Sequence, residues 1–165
     1  MTNTPTSPLV VRRATRADFE SLGRLGALLV REHHEYDARR FLAATTDTAE
    51  LYAAFLTEQL HDHHGILLVA EQDARVVGYA YTAIEGYDYL TLRGPAAVLH
   101  DLIVAPEYRN RGVGRALLNA TLSALTSDHV PRVVLSTAER NAFAQRFFER
   151  AGFRRTMVEM TRELE

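Results

Sequence analysis

The chain has no cysteine in its 165 residues. That excludes a disulfide framework, a thiol nucleophile and a cysteinyl intermediate, and it fits a reducing cytoplasm. A strong charge of either sign is also missing. The net charge of −2 and a pI near 6.4 give no electrostatic basis for general nucleic-acid binding. No apolar run approaches membrane-spanning length, so no membrane partner is expected. Internal repeats and low-complexity tracts are absent.

At this length one domain with its own core is expected. Met1–Pro8 is polar, carries Pro5 and Pro8, and lacks the apolar centre of a signal peptide. It reads as a disordered tail (1–8) ahead of a single domain over 9–165. Leu9–Arg13 predicts a first strand. Thr15-x-x-Asp18 predicts a capping box for a helix with Phe19, Leu22, Leu25 and Leu29 inward. Asp47-x-x-Glu50 predicts a second helix bearing Leu51, Phe55, Leu56 and Leu60. Ile66–Ala70 and Val76–Ile84 form a hairpin around Asp73-Ala74. Ala96–Val104 is the next strand, followed by a long helix with Val113, Leu117, Ala120 and Ala124 inward. Val133–Ser136 is a strand, and a helix with Ala144, Phe147, Phe148 and Ala151 on one face closes at Gly152. Thr156–Glu163 predicts a final strand. The fold class is mixed α/β, a central and mostly antiparallel twisted sheet flanked by about four helices.

The densest chemistry lies between the strand ending at Val104 and the helix beginning at Val113. Arg109-Asn110-Arg111-Gly112-Val113-Gly114-Arg115 places three arginines at the positive end of a helix, where cations are disfavoured. An anion bound by the exposed first-turn amides removes that conflict, and the two glycines allow close backbone approach. These residues read as a pyrophosphate cradle. A Walker P-loop is excluded, because no Gly-Lys-Ser/Thr occurs. A dinucleotide fingerprint fits poorly. Position 117 is Leu, and seven residues, Ala105 to Arg111, separate the strand from Gly112.

Arg109-x-x-Gly112-x-Gly114, led in by Val104-x-Pro106-x-x-Arg109, resembles the acyl-CoA signature of the GNAT superfamily of N-acyltransferases. Asn141, a short helix and then Gly152-Phe153 resemble a second element of that family. The likeness runs from about Val10 to the C-terminus and implies acetyl-CoA as acyl donor, with no metal. It implies that the backbone of Leu102, Ile103 and Val104 pairs with the pantetheine arm. The Val104 N–H would then face the thioester oxygen. Several small-amine members of the family carry Glu where this chain has His100. A neutral imidazole there is a candidate base, against the alternative of a hydrogen-bonded structural histidine. Asp101, by strand alternation on the opposite face, reads as a structural partner. Many relatives place a proton-donating Tyr where Phe148 stands. Phe148 instead packs against the acyl-CoA arm or fills the core. Asn141 bonds the CoA arm or caps its helix.

Acetylation requires a neutral amine, and neutralising a lysine-like amine at pH 7 costs about 4–5 kcal/mol. The resemblance places the acceptor region at His33-His34-Glu35-Tyr36-Asp37 and Glu85-Gly86-Tyr87-Asp88-Tyr89, where carboxylates and aromatics suit an ammonium, against the alternative of solvated polar loop residues. His61-Asp62-His63-His64 lacks a distant partner ligand and is not read as a metal site. The expected activity is direct acetyl transfer to a primary amine of a small molecule, such as an amino acid, polyamine or aminoglycoside. A peptide N-terminus ranks lower as acceptor. The alternative is a non-catalytic acyl-CoA-binding module. A homodimer is compatible with the pattern.

Overall fold

The computed structural model describes residues 7–126 and 129–164. A five-stranded sheet is built from β1 (Val10–Arg13), β2 (Gly65–Gln72), β3 (Arg75–Glu85), β4 (Ala96–Val104) and β5 (Val133–Leu135), in that spatial order. The first four strands form an antiparallel meander, and β5 joins β4 in parallel. The turn between β2 and β3 has two residues, Asp73 and Ala74, both at positive φ (51° and 58°). Such a turn matches the right-handed twist of its strands. Residues 1–6 of the expected tail lie outside the described residues. Ser7 is tied down, its N–H donating to Asp73 Oδ1 at 2.8 Å.

Helices α1 (Phe19–Tyr36) and α2 (Thr48–Gln59) pack on one face of the sheet. Leu22, Leu25 and Leu56 are fully buried there with Val69 and Tyr79. Each such side chain contributes about 1.5–3 kcal/mol by leaving water. The two helices approach closely because Gly23 and Gly26 face α2. A Cβ on Gly23 would overlap the Ala49 carbonyl, and one on Gly26 would overlap the Tyr52 ring. Helix α3 (Val113–Thr126) covers the other face, burying Val113, Leu117, Leu118, Thr121 and Leu125. Ala120 and Ala124 sit at the margin of that contact. Phe147 and Phe148 of α4 (Ala142–Arg150) pack against the same cluster.

Three local expectations are corrected. The final strand over Thr156–Glu163 does not form, and Met157, Val158 and Met160 are exposed. Adjacent apolar residues at 157 and 158 break strict alternation. A strand also needs a paired edge, and this segment is held instead by side chains, Arg40 to Glu159 and Arg155 to Glu149. The Thr15–Asp18 capping box does form, with Asp18 accepting from the Thr15 N–H at 2.8 Å, and it opens a single 3-10 turn that leads into α1. Phe19 is exposed rather than inward. At α2, Asp47 occupies the N-cap but its side chain makes no capping bond.

Candidate active site

The parallel pairing of β5 ends early and thereby creates the site. β5 pairs with β4 only over Ala97–Leu99, so Leu102–Val104 runs on with one edge open. The Ala105 N–H donates to Val77 on the β3 side, so alternation turns the Val104 amide toward the open edge. The Val104 carbonyl, on that same edge, accepts from Arg109 Nε at 2.9 Å. A cavity lies beside this edge, walled by α1, β4, the segment after β5, and α4.

At one end of the open strand lies the turn that the sequence suggests as an anion cradle. Asn110 and Gly112 both adopt left-handed backbone conformations, φ 59° and 85°. The first helical bond of this turn runs from the Ala116 N–H to the Gly112 carbonyl, 2.9 Å. The amides of Val113, Gly114 and Arg115 are thus left to the helix's open end. Val113 is buried in the core, whereas Arg111 and Arg115 are exposed. The Arg111 guanidinium lies over the Tyr108 ring, 5.6 Å from its centroid. Arg109 faces elsewhere. Besides Val104 it bonds Glu32 Oε1 at 2.5 Å, joining β4 to α1 across the cavity wall.

His100 and Asp101 depart from simple alternation. The pairing shifts between Tyr81 and Thr82, so that Tyr81 faces Asp101 and Thr82 faces Leu99. His100 is the extra residue of this bulge. Both side chains consequently reach the face that carries Tyr79 and Tyr81. His100 stacks on Tyr81, with centroids 5.4 Å apart, and its Nε2–H donates to Glu85 Oε1 at 2.9 Å. Arg93 also bonds Glu85, at 2.6 Å. His100 remains 40% exposed and lines the cavity. Asp101 turns inward, where Oδ2 accepts from Tyr52 at 2.7 Å and from Tyr79 at 2.9 Å. It is a structural partner, but of tyrosines rather than of an arginine or a backbone amide. Burial raises the Asp101 carboxyl and pushes both phenols up.

Asn141 lines the cavity and caps α4, its Oδ1 accepting from the Ala144 N–H at 3.0 Å. Phe148 lines the cavity while touching Phe147 and Phe153 edge-on. The ring thus packs against the core on one side and faces the cavity on the other. From α1, Leu29, Glu32, His33 and Tyr36 face the cavity at helical i, i+3, i+4, i+7 spacing. Glu85 and Asp88 belong to the cluster around Arg93, beside His100. Tyr87 and Tyr89 are exposed and stacked. Sequence reading missed Glu32, Ser136 and Thr137 as lining residues, and Tyr52 as the Asp101 partner. Glu32 was findable from the Leu29–Tyr36 spacing, whereas Tyr52 carried no local signal. Among the described residues no group of three His, Cys, Asp or Glu side chains gathers in metal-binding geometry. His61 pairs with Arg16.

The profile of the Acetyltransferase (GNAT) family matches residues 27–153, from the middle of α1 through α4. An uncharacterized N-acetyltransferase of Mycobacterium tuberculosis is 32% identical over 108 residues, 64% of this chain and 64% of that protein. Among solved structures, a tetramutant protein of Bacillus halodurans superimposes with a TM-score of 0.82. It is 20% identical and covers 94% of this chain and 99% of its own. An aminoglycoside N-acetyltransferase in complex with CoA gives a TM-score of 0.73 at 19% identity, covering 99% of both chains. A strand with an open edge beside a glycine-turned helix N-terminus, set within a profile match over most of its length, places this chain in the acetyltransferase (GNAT) family.

Proposed function

We propose that the protein transfers the acetyl group of acetyl-CoA directly to a primary amine on a small molecule. The observation that carries this reading is the open edge of β4 at Leu102–Val104, continuous with the amides of Val113–Arg115. An extended pantetheine arm adds to such an edge as a short strand would. The pyrophosphate then reaches the amides, Gly112 and Gly114, flanked by Arg111 and Arg115. Arg109 and Asn110 shape this turn, and the Arg109 guanidinium fixes the Val104 carbonyl beside it. Ile103, buried on the β4 face that packs against α1, anchors this stretch of the strand. Asn141 and Phe148 bound the arm from the α4 side.

Bound acetyl-CoA supplies an activated thioester, and the chain's own groups do the rest. The Val104 N–H donates to the oxygen on which charge develops. His100, its Nε2–H held by Glu85, offers Nδ1 as proton acceptor to the amine. No cysteine is present, so transfer proceeds in one complex of donor and acceptor. The acceptors favoured are amino acids, polyamines and aminoglycoside-like amines, with a peptide N-terminus less so. The fold shared with an aminoglycoside N-acetyltransferase that binds CoA supports this class. A cytoplasmic, acetyl-CoA-rich setting and a dimer with a second copy are part of the same reading.

The test is CoA release from acetyl-CoA against a panel of polyamines, amino acids, aminoglycosides and short peptides. Turnover with one class is expected. Tight acetyl-CoA binding without turnover on any amine would instead favour a binding module. In an active enzyme, His100→Ala is expected to lower kcat about 100-fold without changing the donor KM. An unchanged kcat at pH 7 removes His100 from the mechanism.

A further inference from the structure

An amine that enters as R–NH3+ loses two protons before it leaves as an amide. One is lost when the nitrogen becomes nucleophilic and one after the new N–C bond forms. The C–S bond then breaks and the CoA thiolate takes up a proton. The balance is R–NH3+ plus acetyl-CoA giving R–NH–COCH3, CoA–SH and H+. His100 accounts for one proton acceptor. The cavity holds a second imidazole.

His33 lies on α1 and is half-buried along the cavity wall, with its neighbours Glu32 and Tyr36. Its Nδ1 is 2.9 Å from the Leu29 carbonyl. A carbonyl only accepts, so Nδ1 must carry the hydrogen and Nε2 is left with the lone pair in the neutral ring. Edge contacts with Phe41 (5.0 Å) and Tyr36 (6.1 Å) hold the ring plane. Position also favours it. Glu32, one residue earlier, bonds the same guanidinium that bonds the Val104 carbonyl. This turn of α1 is therefore tied to the strand end where the Val104 amide opens.

We propose that His33 is a second catalytic proton acceptor, taking at Nε2 one of the two protons lost by the reacting nitrogen. The inference rests on the acetyl-transfer reading above. The imidazolium that forms keeps Nδ1–H on the Leu29 carbonyl, and its Nε2–H passes the proton to solvent or to the thiolate. The charged and titratable groups around it are Glu32 and Tyr36 on α1, Arg109 bound to Glu32, and His100 and the buried Asp101 on β4. Arg40, over the Phe41 ring, is paired with Glu159.

Two measurements test it. Long-range proton–nitrogen NMR of the wild-type imidazoles at high pH is expected to show His33 as the Nδ1–H tautomer. An Nε2–H tautomer overturns the proposal without any assay. In the assay, His33→Gln is expected to lower kcat about 100-fold at pH 7 with the donor KM unchanged. The deficit should shrink as pH rises toward the pKa of the amine, because solution then supplies neutral acceptor. Added imidazole should restore part of the rate to His33→Ala, which a packing role would not produce. Turnover by His33→Gln equal to wild type across the pH range overturns the proposal and leaves the transferase reading standing. Absence of wild-type turnover on every amine removes the transferase reading itself, and this inference with it.

Discussion

At the scale of single residues, Asp101 shows how much a neighbour's identity decides. Its Oδ2 accepts two tyrosine hydroxyls in a buried site, and burial disfavours its charge. Because its folded pKa is raised above the unfolded value, the stability it contributes is complete below pH about 4. That stability is lost as pH climbs through the raised folded value. Asp101→Asn keeps an acceptor and removes the charge. Thermal melts at several pH values should show this variant gaining on wild type through that window and holding the gain above it. Asp101→Ala leaves two buried hydroxyls without an acceptor, and each costs about 1–3 kcal/mol. A denaturant titration should show Ala much the less stable of the two.

At the scale of elements, two turns carry the sharpest tests. The β2–β3 turn puts Ala74 at φ 58°, a region that costs a residue with a Cβ about 1–2 kcal/mol. Ala74→Gly should therefore stabilise by about 1 kcal/mol. In a chain of this size that raises Tm by about 2–4 °C in calorimetry. The cradle turn is the reverse case. Gly112 has φ 85° with open space around its missing Cβ, so Gly112→Ala strains the backbone rather than clashing. Its expected effect is a rise of about tenfold in the donor KM, from amides swung off their anion, with little change in kcat. Equal donor KM in the two proteins would detach this turn from donor binding. The helix pair α1–α2 was legible from its apolar spacing. Its closeness was not, because it depends on Gly23 and Gly26 meeting Ala49 and Tyr52, residues more than twenty positions away.

For the whole molecule, the β1 corner links distant parts of the chain. Arg12 bonds Asp18 at 2.8 Å and Glu71 at 2.8 Å, joining β1, the turn before α1, and β2. The Arg12 guanidinium holds the Asp18 carboxyl below its usual value of 3.8. A depressed folded pKa means that the stability is present above pH about 4 and is lost as pH falls through the folded value. Acid unfolding followed by circular dichroism should therefore be shallower below pH 4 in Asp18→Asn than in wild type. Asp18→Asn should also be the less stable protein at pH 7. A parallel pair of acid curves would show that this corner does not set the acid limit.

The sequence by itself determined the order of the elements through α4, the glycine-turned start of α3 and the family. Those rest on local facts: hydrophobic period, turn residues, and glycines and arginines at fixed spacing before a helix. Tertiary structure decided where the chemistry sits. A one-residue shift in the β3–β4 pairing turned His100 and Asp101 onto one face, against their alternation. The early end of β5 opened the edge at Val104, and the unpaired 154–164 segment formed no sixth strand. The placement of His33 beside that edge depends on Glu32 reaching Arg109, 77 residues away. Periodicity is a property of neighbours along the chain. Register, strand ends and facing side chains depend on partners far off in sequence, and no local pattern encodes them.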